Sequence, residues 1–296
     1  MKLLNIMIGA AAALAAAFAA AVPSLAAEQK IVVVAAENFY GDVARQIGGD
    51  RVSVTSALGN PDQDPHLFET TPSLVRQIAA AKVIIYNGAA YDPWMDKLLT
   101  VAAAPNRAVI VAADLVHKNA GADPHLWYDP ATIPAVATAL ATTLSTIDPA
   151  HKDDYAARLK TLLDSLKPLQ QKIAAIADKY GGAPVTATEP VFGYMAAALR
   201  LTMRNASFQL AIMNNTEPSA RDLAQFETDL KTHKVRVMFY NTQAADRLVR
   251  RLVDLARAAN VPVVGVTETC PPGLTYQAWM LRQLDATEKA LAGTAS

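Results

Sequence analysis

Residues 150–180 read AHKDDYAARLKTLLDSLKPLQQKIAAIADKY and separate two halves of similar pattern. Apolar residues recur along this segment at alternating spacings of four and three, which predicts a long helix with one apolar stripe. At about 1.5 Å per residue the helix is about 45 Å long, enough to lie along both halves. Pro168 predicts a kink, because the stripe continues in phase beyond it, and two shorter helices meeting at Pro168 are the alternative. The stripe consists of Tyr155, Leu159, Leu162, Leu166, Leu169, Ile173 and Ile176.

On either side of this segment, apolar strand-like runs alternate with helical patterns. Strands that are apolar on both faces and separated by helices are typical of parallel sheets covered by helices on both sides. We therefore predict an α/β protein of two lobes, each a roughly four-stranded parallel sheet with flanking helices, joined by one long helix. The N-lobe is expected at 27–149, the linking helix at 150–180 and the C-lobe at 181–296. The predicted strands are 31–35, 52–57, 83–86, 108–112, 184–188, 207–213, 235–240 and 261–267, and the predicted helices outside the linker are 39–47, 72–80, 92–102, 130–146, 190–199, 220–231, 244–259 and 276–291.

Residues 1–26 are predicted to be a signal peptide. Lys2 precedes an alanine-rich apolar stretch, and Pro23, Ser24 and Ala26 suit cleavage near Ala26 or Ala27. The apolar stretch is long for a signal peptide, so an uncleaved membrane anchor is the alternative. We expect export, cleavage and a soluble periplasmic mature protein.

The composition excludes several classes of function. Lysine plus arginine and aspartate plus glutamate number 27 each, so no excess of positive charge favours binding to nucleic acid or to an anionic membrane. Cys270 is the only cysteine, so no intrachain disulfide forms and the fold depends on a packed core. The hydrophobic content of 52% permits such a core.

A five-residue phrase occurs twice, as DPHLF at 64–68 and as DPHLW at 123–127. Each copy places a histidine, His66 or His125, in a loop beyond a predicted strand, and imidazole is the commonest metal ligand. Glu189 and Glu268 directly follow the predicted strands 184–188 and 261–267. Ligands of open α/β sheets bind outside the carboxyl ends of the strands. Two candidate ligands therefore come from each half and converge on one cation.

Neighbouring polar residues have predicted supporting roles. Asp64 and Asp123 are expected to orient the histidines or to form turns. Asn241 follows the predicted strand 235–240 and is either a cleft residue or a turn residue. Cys270 is expected to be a half-buried, unreactive thiol, since no second soft ligand accompanies it.

The chain resembles the metal-binding subunits of ABC importers, the zinc/manganese solute-binding family with a rigid helix between its lobes. The resemblance rests on DPH at 64–66, DPHLW at 123–127, Thr188-Glu189 followed by Phe192-Gly193-Tyr194, and PVVGVTE at 262–268. It covers essentially the whole mature chain and implies metal ligands at His66, His125, Glu189 and Glu268. Zinc-type members often carry histidine at the position of Glu189 together with a histidine-rich loop, and aspartate is usual at the position of Glu268. These departures leave the identity of the metal open. They also leave open whether Glu268 binds the metal directly and whether it does so through one oxygen or two.

The resemblance implies a monomeric periplasmic substrate-binding protein rather than an enzyme. Its cargo is one divalent transition metal ion, Zn²⁺ or Mn²⁺, with Fe²⁺ also compatible with two imidazoles and two carboxylates. Its expected partner is an ABC permease in the inner membrane. The alternatives are an exported metallohydrolase with a His/His/Glu zinc site and a receptor for an organic solute. The first lacks an identifiable general base, and the second lacks aromatic and arginine anchors near the strand ends.

Overall fold

The computed structural model describes residues 29–60, 65, 68–244 and 246–293. It confirms the predicted fold class, with two parallel four-stranded sheets, flanking helices and a long helical connection. The predicted signal peptide and the candidate ligand His66 lie outside the described residues. No helix in the described part of the chain has both the length and the apolarity needed to span a membrane.

The N-lobe sheet consists of parallel strands in the order β2-β1-β3-β4. Val33 and Val34 of β1 point to opposite faces and are both fully buried, because helices cover the sheet on both sides. The strands are β1 (Ile31–Glu37), β2 (Val52–Leu58), β3 (Val83–Tyr86) and β4 (Ala108–Val111). The helices are α1 (Asn38–Gly48), α2 (Pro72–Ala80), α3 (Pro93–Val101), α4 (Ala112–Leu115) and α5 (Thr132–Ile147).

The connection is a helical run of 32 residues at 149–180, which confirms the predicted long helix. It contains α6 (Lys152–Ser165) and α7 (Lys167–Tyr180), and the hydrogen-bond pattern changes at Leu166 between them. There the Leu166 N–H bonds to the Leu163 carbonyl at 3.2 Å, one residue closer than in an α-helix. Pro168 explains the irregularity, because it has no N–H for the Asp164 carbonyl and its ring crowds the preceding turn. The apolar stripe is buried along the run, with Leu159 only partly so.

The C-lobe repeats the topology of the N-lobe, with parallel strands in the order β6-β5-β7-β8. Its strands are β5 (Pro184–Ala187), β6 (Thr202–Arg204), β7 (Val237–Asn241) and β8 (Val263–Val266). Its helices are α8 (Gly193–Ala198), α9 (Ala206–Met213), α10 (Ala220–Lys231), α11 (Arg247–Ala258) and α12 (Tyr276–Leu291).

The predicted strand at 207–213 is wrong, because these residues belong to α9 and the edge strand is β6. Phe208, Leu210 and Ile212 alternate with small or polar residues, and over seven residues this alternation imitates a strand. Asn205 ends β6 by adopting a left-handed conformation with a φ of 60°. The helix that follows buries Phe208 and leaves Leu210 half exposed, so its weak pattern gave no helical signal.

One hydrophobic core continues from the N-lobe through the linking helices into the C-lobe. Aromatic rings join the lobes, with Phe39 centred 4.9 Å from Trp127 and 5.9 Å from Trp279. Tyr128 meets Phe192 of the C-lobe at 5.3 Å between ring centroids. The lobes therefore pack on each other directly, and the linking helix is only part of what joins them.

Candidate metal centre

Three polar residues stand at the carboxyl ends of neighbouring C-lobe strands. Glu189 comes two residues after the end of β5, Asn241 is the last residue of β7, and Glu268 comes two residues after the end of β8. Because these strands are adjacent and parallel, their ends share one edge of the sheet. All three side chains are buried there.

Asn241 joins the two carboxylates. Its amide nitrogen Nδ2 donates to Glu189 Oε2 and to Glu268 Oε1, both at 2.6 Å. The two hydrogens of one amide thus reach one oxygen of each glutamate, and each bond offsets part of the cost of burying a carboxylate. Asn241 also accepts the Gln243 N–H at its Oδ1 at 3.0 Å, so it has both of the roles considered from the sequence, in the cleft and in a turn.

His125 reaches the same place from the N-lobe. Asp123 accepts the backbone N–H of His125 at 3.1 Å, and its Oδ1 lies 2.6 Å from the imidazole Nδ1. This carboxylate assigns the proton to Nδ1 and leaves Nε2 directed at Glu268 Oε2, 3.6 Å away. The predicted orienting role of Asp123 agrees with these contacts.

The separation of His125 Nε2 and Glu268 Oε2 suits two ligands of one ion. At 3.6 Å the pair is longer than an ordinary hydrogen bond. Nitrogen and oxygen bound to one tetrahedral zinc at about 2.0–2.2 Å lie about 3.4 Å from each other. A cation between these two atoms would thus require little movement of either side chain.

Charge surrounds His125 closely. Burial disfavours its imidazolium form, but the hydrogen bonds and negative charges of Asp123 and Glu268 outweigh burial and raise the pKa of His125 to about 9. At neutral pH the imidazole of His125 therefore carries a second proton, on Nε2. A metal ion has to displace this proton in order to bind Nε2.

Residues that follow β3 and β7 also support the candidate site, and the sequence interpretation missed them. The Tyr91 hydroxyl donates to Glu268 Oε2 at 2.9 Å, and burial followed by the charge of Glu268 raises the pKa of Tyr91 well above 10, so the hydroxyl keeps its proton. Gln243 Oε1 accepts the N–H groups of Glu268 and Thr269 at 2.7 and 3.1 Å. The Asn87 amide donates to the Pro124 carbonyl at 2.8 Å, directly before His125.

Two buried carboxyls, those of Glu37 and Asp92, lie near Tyr91. Asp92 accepts the N–H groups of Asn87 and Gly88 at 2.7 and 2.8 Å. Glu37, the last residue of β1, is fully buried, and burial followed by the charge of Asp92 raises its pKa well above 4.5. Burial and the charge of Asp92 thus favour the neutral form of Glu37, whereas the two N–H groups favour the ionised form of Asp92 against its own burial.

Cys270 follows Glu268 by two residues but has the properties of a structural thiol. It is 4% exposed, and burial raises the pKa of the thiol to about 12. A neutral buried thiol is a poor metal ligand, which agrees with the unreactive role expected from the sequence.

The structure locates His125, Glu189 and Glu268 of the four expected ligands, and His66 lies outside the described residues. His125 meets Glu268 directly, while Glu189 is joined to Glu268 through Asn241. Among the residues that the structure describes, no group of three or more His, Cys, Asp or Glu side chains is placed to hold a metal ion. The set of four ligands stays a prediction.

Comparison with known proteins identifies related molecules. Residues 33–290 match the family model described as "ZnuA: Zinc-uptake complex component A periplasmic". The manganese ABC transporter substrate-binding lipoprotein PsaA of Streptococcus mitis is 25% identical over 291 residues, covering 90% of this chain and 91% of that protein. The manganese-binding lipoprotein MntA of Bacillus subtilis is 25% identical over 244 residues, covering 78% and 77%. The periplasmic zinc binding protein TroA from Treponema pallidum shares the fold with a TM-score of 0.75 at 20% identity, covering 90% of this chain and 100% of that one.

Proposed function

Because the chain belongs to the family of the periplasmic component A of zinc-uptake complexes, we propose that it is a receptor for one divalent transition metal ion. The ion is cargo, Zn²⁺ or Mn²⁺, which the protein passes to an ABC permease in the inner membrane. We also propose that the chain is exported, with cleavage near Ala26 or Ala27, and that it acts as a periplasmic monomer without enzymatic activity.

One observation supports this function most directly. His125 of the N-lobe and Glu268 of the C-lobe meet at 3.6 Å between Nε2 and Oε2 in the buried cleft between the sheets. Glu189 lies beside Glu268 through their shared bonds to Asn241. In our proposal His66, which has the same Asp-Pro-His-Leu context as His125, completes the set of ligands.

The chemistry of this set suits a divalent ion. Two carboxylates neutralise the charge of the cation, so the closed site carries little net charge into a buried cleft. Bidentate carboxylates bring the number of contacts to six, which suits Mn²⁺, whereas the general order of affinities favours Zn²⁺. The names of the related proteins include both metals.

The metallohydrolase alternative finds no support in the comparisons. The three related proteins are described as metal-binding proteins or as a transporter's substrate-binding protein.

Calorimetric titration of metal-stripped protein with Zn²⁺ and with Mn²⁺ tests the proposal. We expect one ion per chain, and we expect His66→Ala and His125→Ala each to remove most of the affinity. His151→Ala is the matched control, because that imidazole pairs with Asp148 outside the cleft. Wild-type protein that binds neither metal, or a His125→Ala variant as tight as His151→Ala, would contradict the proposal.

A further inference from the structure

Helix α1 of the N-lobe presents a polar face to the segment of the C-lobe that carries Glu268. Asn38, Asp42 and Gln46 are spaced four residues apart and so lie on one face of the helix. All three bond to residues 270–277, the stretch that leads from Glu268 into α12. Hydrogen bonds along this face therefore join the two lobes, in addition to the linking helix.

The first contact is a pair of bonds between the Asn38 amide and the backbone of Cys270, here called the Asn38–Cys270 clasp. Asn38 Nδ2 donates to the Cys270 carbonyl at 2.7 Å, and Asn38 Oδ1 accepts the Cys270 N–H at 2.9 Å. Two bonds from one planar amide fix both the position and the orientation of this backbone. Cys270 is only two residues from Glu268.

The other two contacts lie further from Glu268. Asp42 Oδ2 accepts the backbone N–H of Tyr276 at 2.8 Å, at the start of α12. The Gln46 and Gln277 amides bond to each other reciprocally at 2.8 and 3.1 Å. These bonds join the lobes but do not touch the backbone that carries Glu268.

The backbone at 268–270 is consequently held from both lobes. Gln243 of the C-lobe accepts the N–H groups of Glu268 and Thr269, and Asn38 of the N-lobe takes both backbone groups of Cys270. Any separation of the lobes that draws Glu268 away from His125 has to break the clasp or distort this backbone.

We propose that Asn38 is a positioning residue that holds Glu268 within reach of the metal ion and slows release of the ion. The inference rests on the proposed function, since it takes Glu268 to be a metal ligand. Asn38 touches no metal in this account and acts through the Cys270 backbone. The slower release results from the Asn38–Cys270 clasp and not from the other hydrogen bonds between the lobes.

The test compares Asn38→Ala with Gln46→Ala, which removes a contact between the same lobes from the same helix face. Zn²⁺-loaded protein is mixed with excess chromogenic chelator, and the rate of Zn²⁺ dissociation is followed. Outer-sphere residues of metal sites typically contribute about 10- to 100-fold, so we expect Asn38→Ala to release Zn²⁺ about 10- to 100-fold faster. Gln46→Ala should stay within about twofold of wild type. Of these two variants, only Asn38→Ala should change the visible spectrum of Co²⁺-loaded protein, because the clasp holds the backbone that carries a ligand and the Gln46–Gln277 contact does not.

Further variants keep the test decisive. If Asn38→Ala does not fold, the isosteric pair Asn38→Asp and Gln46→Glu replaces it, since Asn38→Asp keeps the acceptor for the Cys270 N–H and loses the donor. In a Glu268→Ala background, Asn38→Ala should add no further acceleration. Equal rates for the Asn38 and Gln46 variants, or full additivity with Glu268→Ala, would overturn the positioning role. Wild-type protein that binds neither Zn²⁺ nor Mn²⁺ would instead overturn the proposed function.

Discussion

The two lobes share one strand order but deliver their site residues differently. In the C-lobe, Glu189 and Glu268 each lie two residues beyond the end of a strand. In the N-lobe, His125 lies 14 residues beyond Val111, the last residue of β4. The C-lobe carboxylates lie on short extensions of the sheet, whereas the imidazole depends on the conformation of a longer loop.

This difference changes how each lobe supports its candidate ligands. In the C-lobe one amide, Asn241, bonds to both carboxylates, and Glu268 is also held by Tyr91 and Gln243. The histidine of the N-lobe depends on three separate contacts, because Asp123 holds the imidazole, Asn87 bonds to the Pro124 carbonyl and Tyr194 of the C-lobe donates to the Asp123 carbonyl at 2.9 Å. One substitution should therefore damage the C-lobe half of the site more than a comparable substitution damages the N-lobe half.

Removal of a ligand from either lobe should have the largest effect. Metal binding energies of about 10–16 kcal/mol, shared among four ligands, correspond to about 100- to 1,000-fold in affinity for each ligand. We expect His125→Ala and Glu268→Ala to weaken Zn²⁺ binding by similar amounts in competition titrations with a chelator. A large loss for one variant and none for the other would mean that a single lobe binds the metal.

Removal of a supporting amide should reduce metal affinity by different amounts in the two lobes. Asn241→Ala leaves both glutamates without their shared donor, and we expect affinity for Zn²⁺ to fall by about 10- to 100-fold. Asn87→Ala should cost less than about tenfold, because Asp123 and Tyr194 still hold the loop. The same competition titrations measure both variants, and equal losses would refute the contrast between concentrated and distributed support.

A smaller effect is expected at Gly193, the first residue of α8. A Cβ atom at this position would lie 2.7 Å from Asp123 Oδ2, so Gly193→Ala has to displace the carboxylate that orients His125. We expect a loss of a few-fold in metal affinity. In an Asp123→Ala background the same change should have no effect, and a double-mutant cycle without coupling would show that Gly193 acts elsewhere.

The buried acid Glu37 should affect stability rather than affinity. Its pKa is raised on folding, so the folded protein binds a proton that the unfolded chain releases above about pH 4.5. The free energy of unfolding should therefore fall as pH rises from about 4.5 towards the folded pKa, by at most about 1.4 kcal/mol per pH unit for this one group. Glu37→Gln should reduce that slope in urea unfolding between pH 5 and 7, although Asp92, with a pKa raised to about 6, retains part of it. An unchanged slope would mean that Glu37 is ionised in the folded protein.

Much of the fold could be predicted because the apolar pattern and the residues that begin and end helices indicate the same elements. The bounds of β3, α2, α10 and α12 match those expected from the sequence. At α2, for example, Thr71 accepts the Leu74 N–H at 3.2 Å and Pro72 takes the first helical position. The prediction failed at 207–213, because a stretch of seven residues is too short for its apolar pattern to distinguish a weakly amphipathic helix from a strand.

For the candidate site, the sequence predicted that His125, Glu189 and Glu268 lie beyond strand ends, whereas His66 lies outside the described residues. Asn38, Asn87 and Asn241 also lie at or just beyond the ends of β1, β3 and β7, and all three make bonds that shape the site. Asparagine is common in turns, so residue type alone does not indicate such a role. Asn241 was considered as a cleft residue from its place after a predicted strand, and the same strand-end rule would also have identified Asn38 and Asn87.

Anomalous diffraction from crystals of the Zn²⁺-loaded protein, recorded at the zinc absorption edge, tests the central claim most directly. The account predicts one strong peak between the lobes, about 2.0–2.2 Å from His125 Nε2 and from an oxygen of Glu268, with Glu189 and His66 completing the coordination. A peak bound by residues of one lobe alone, or located away from the strand ends, would contradict it.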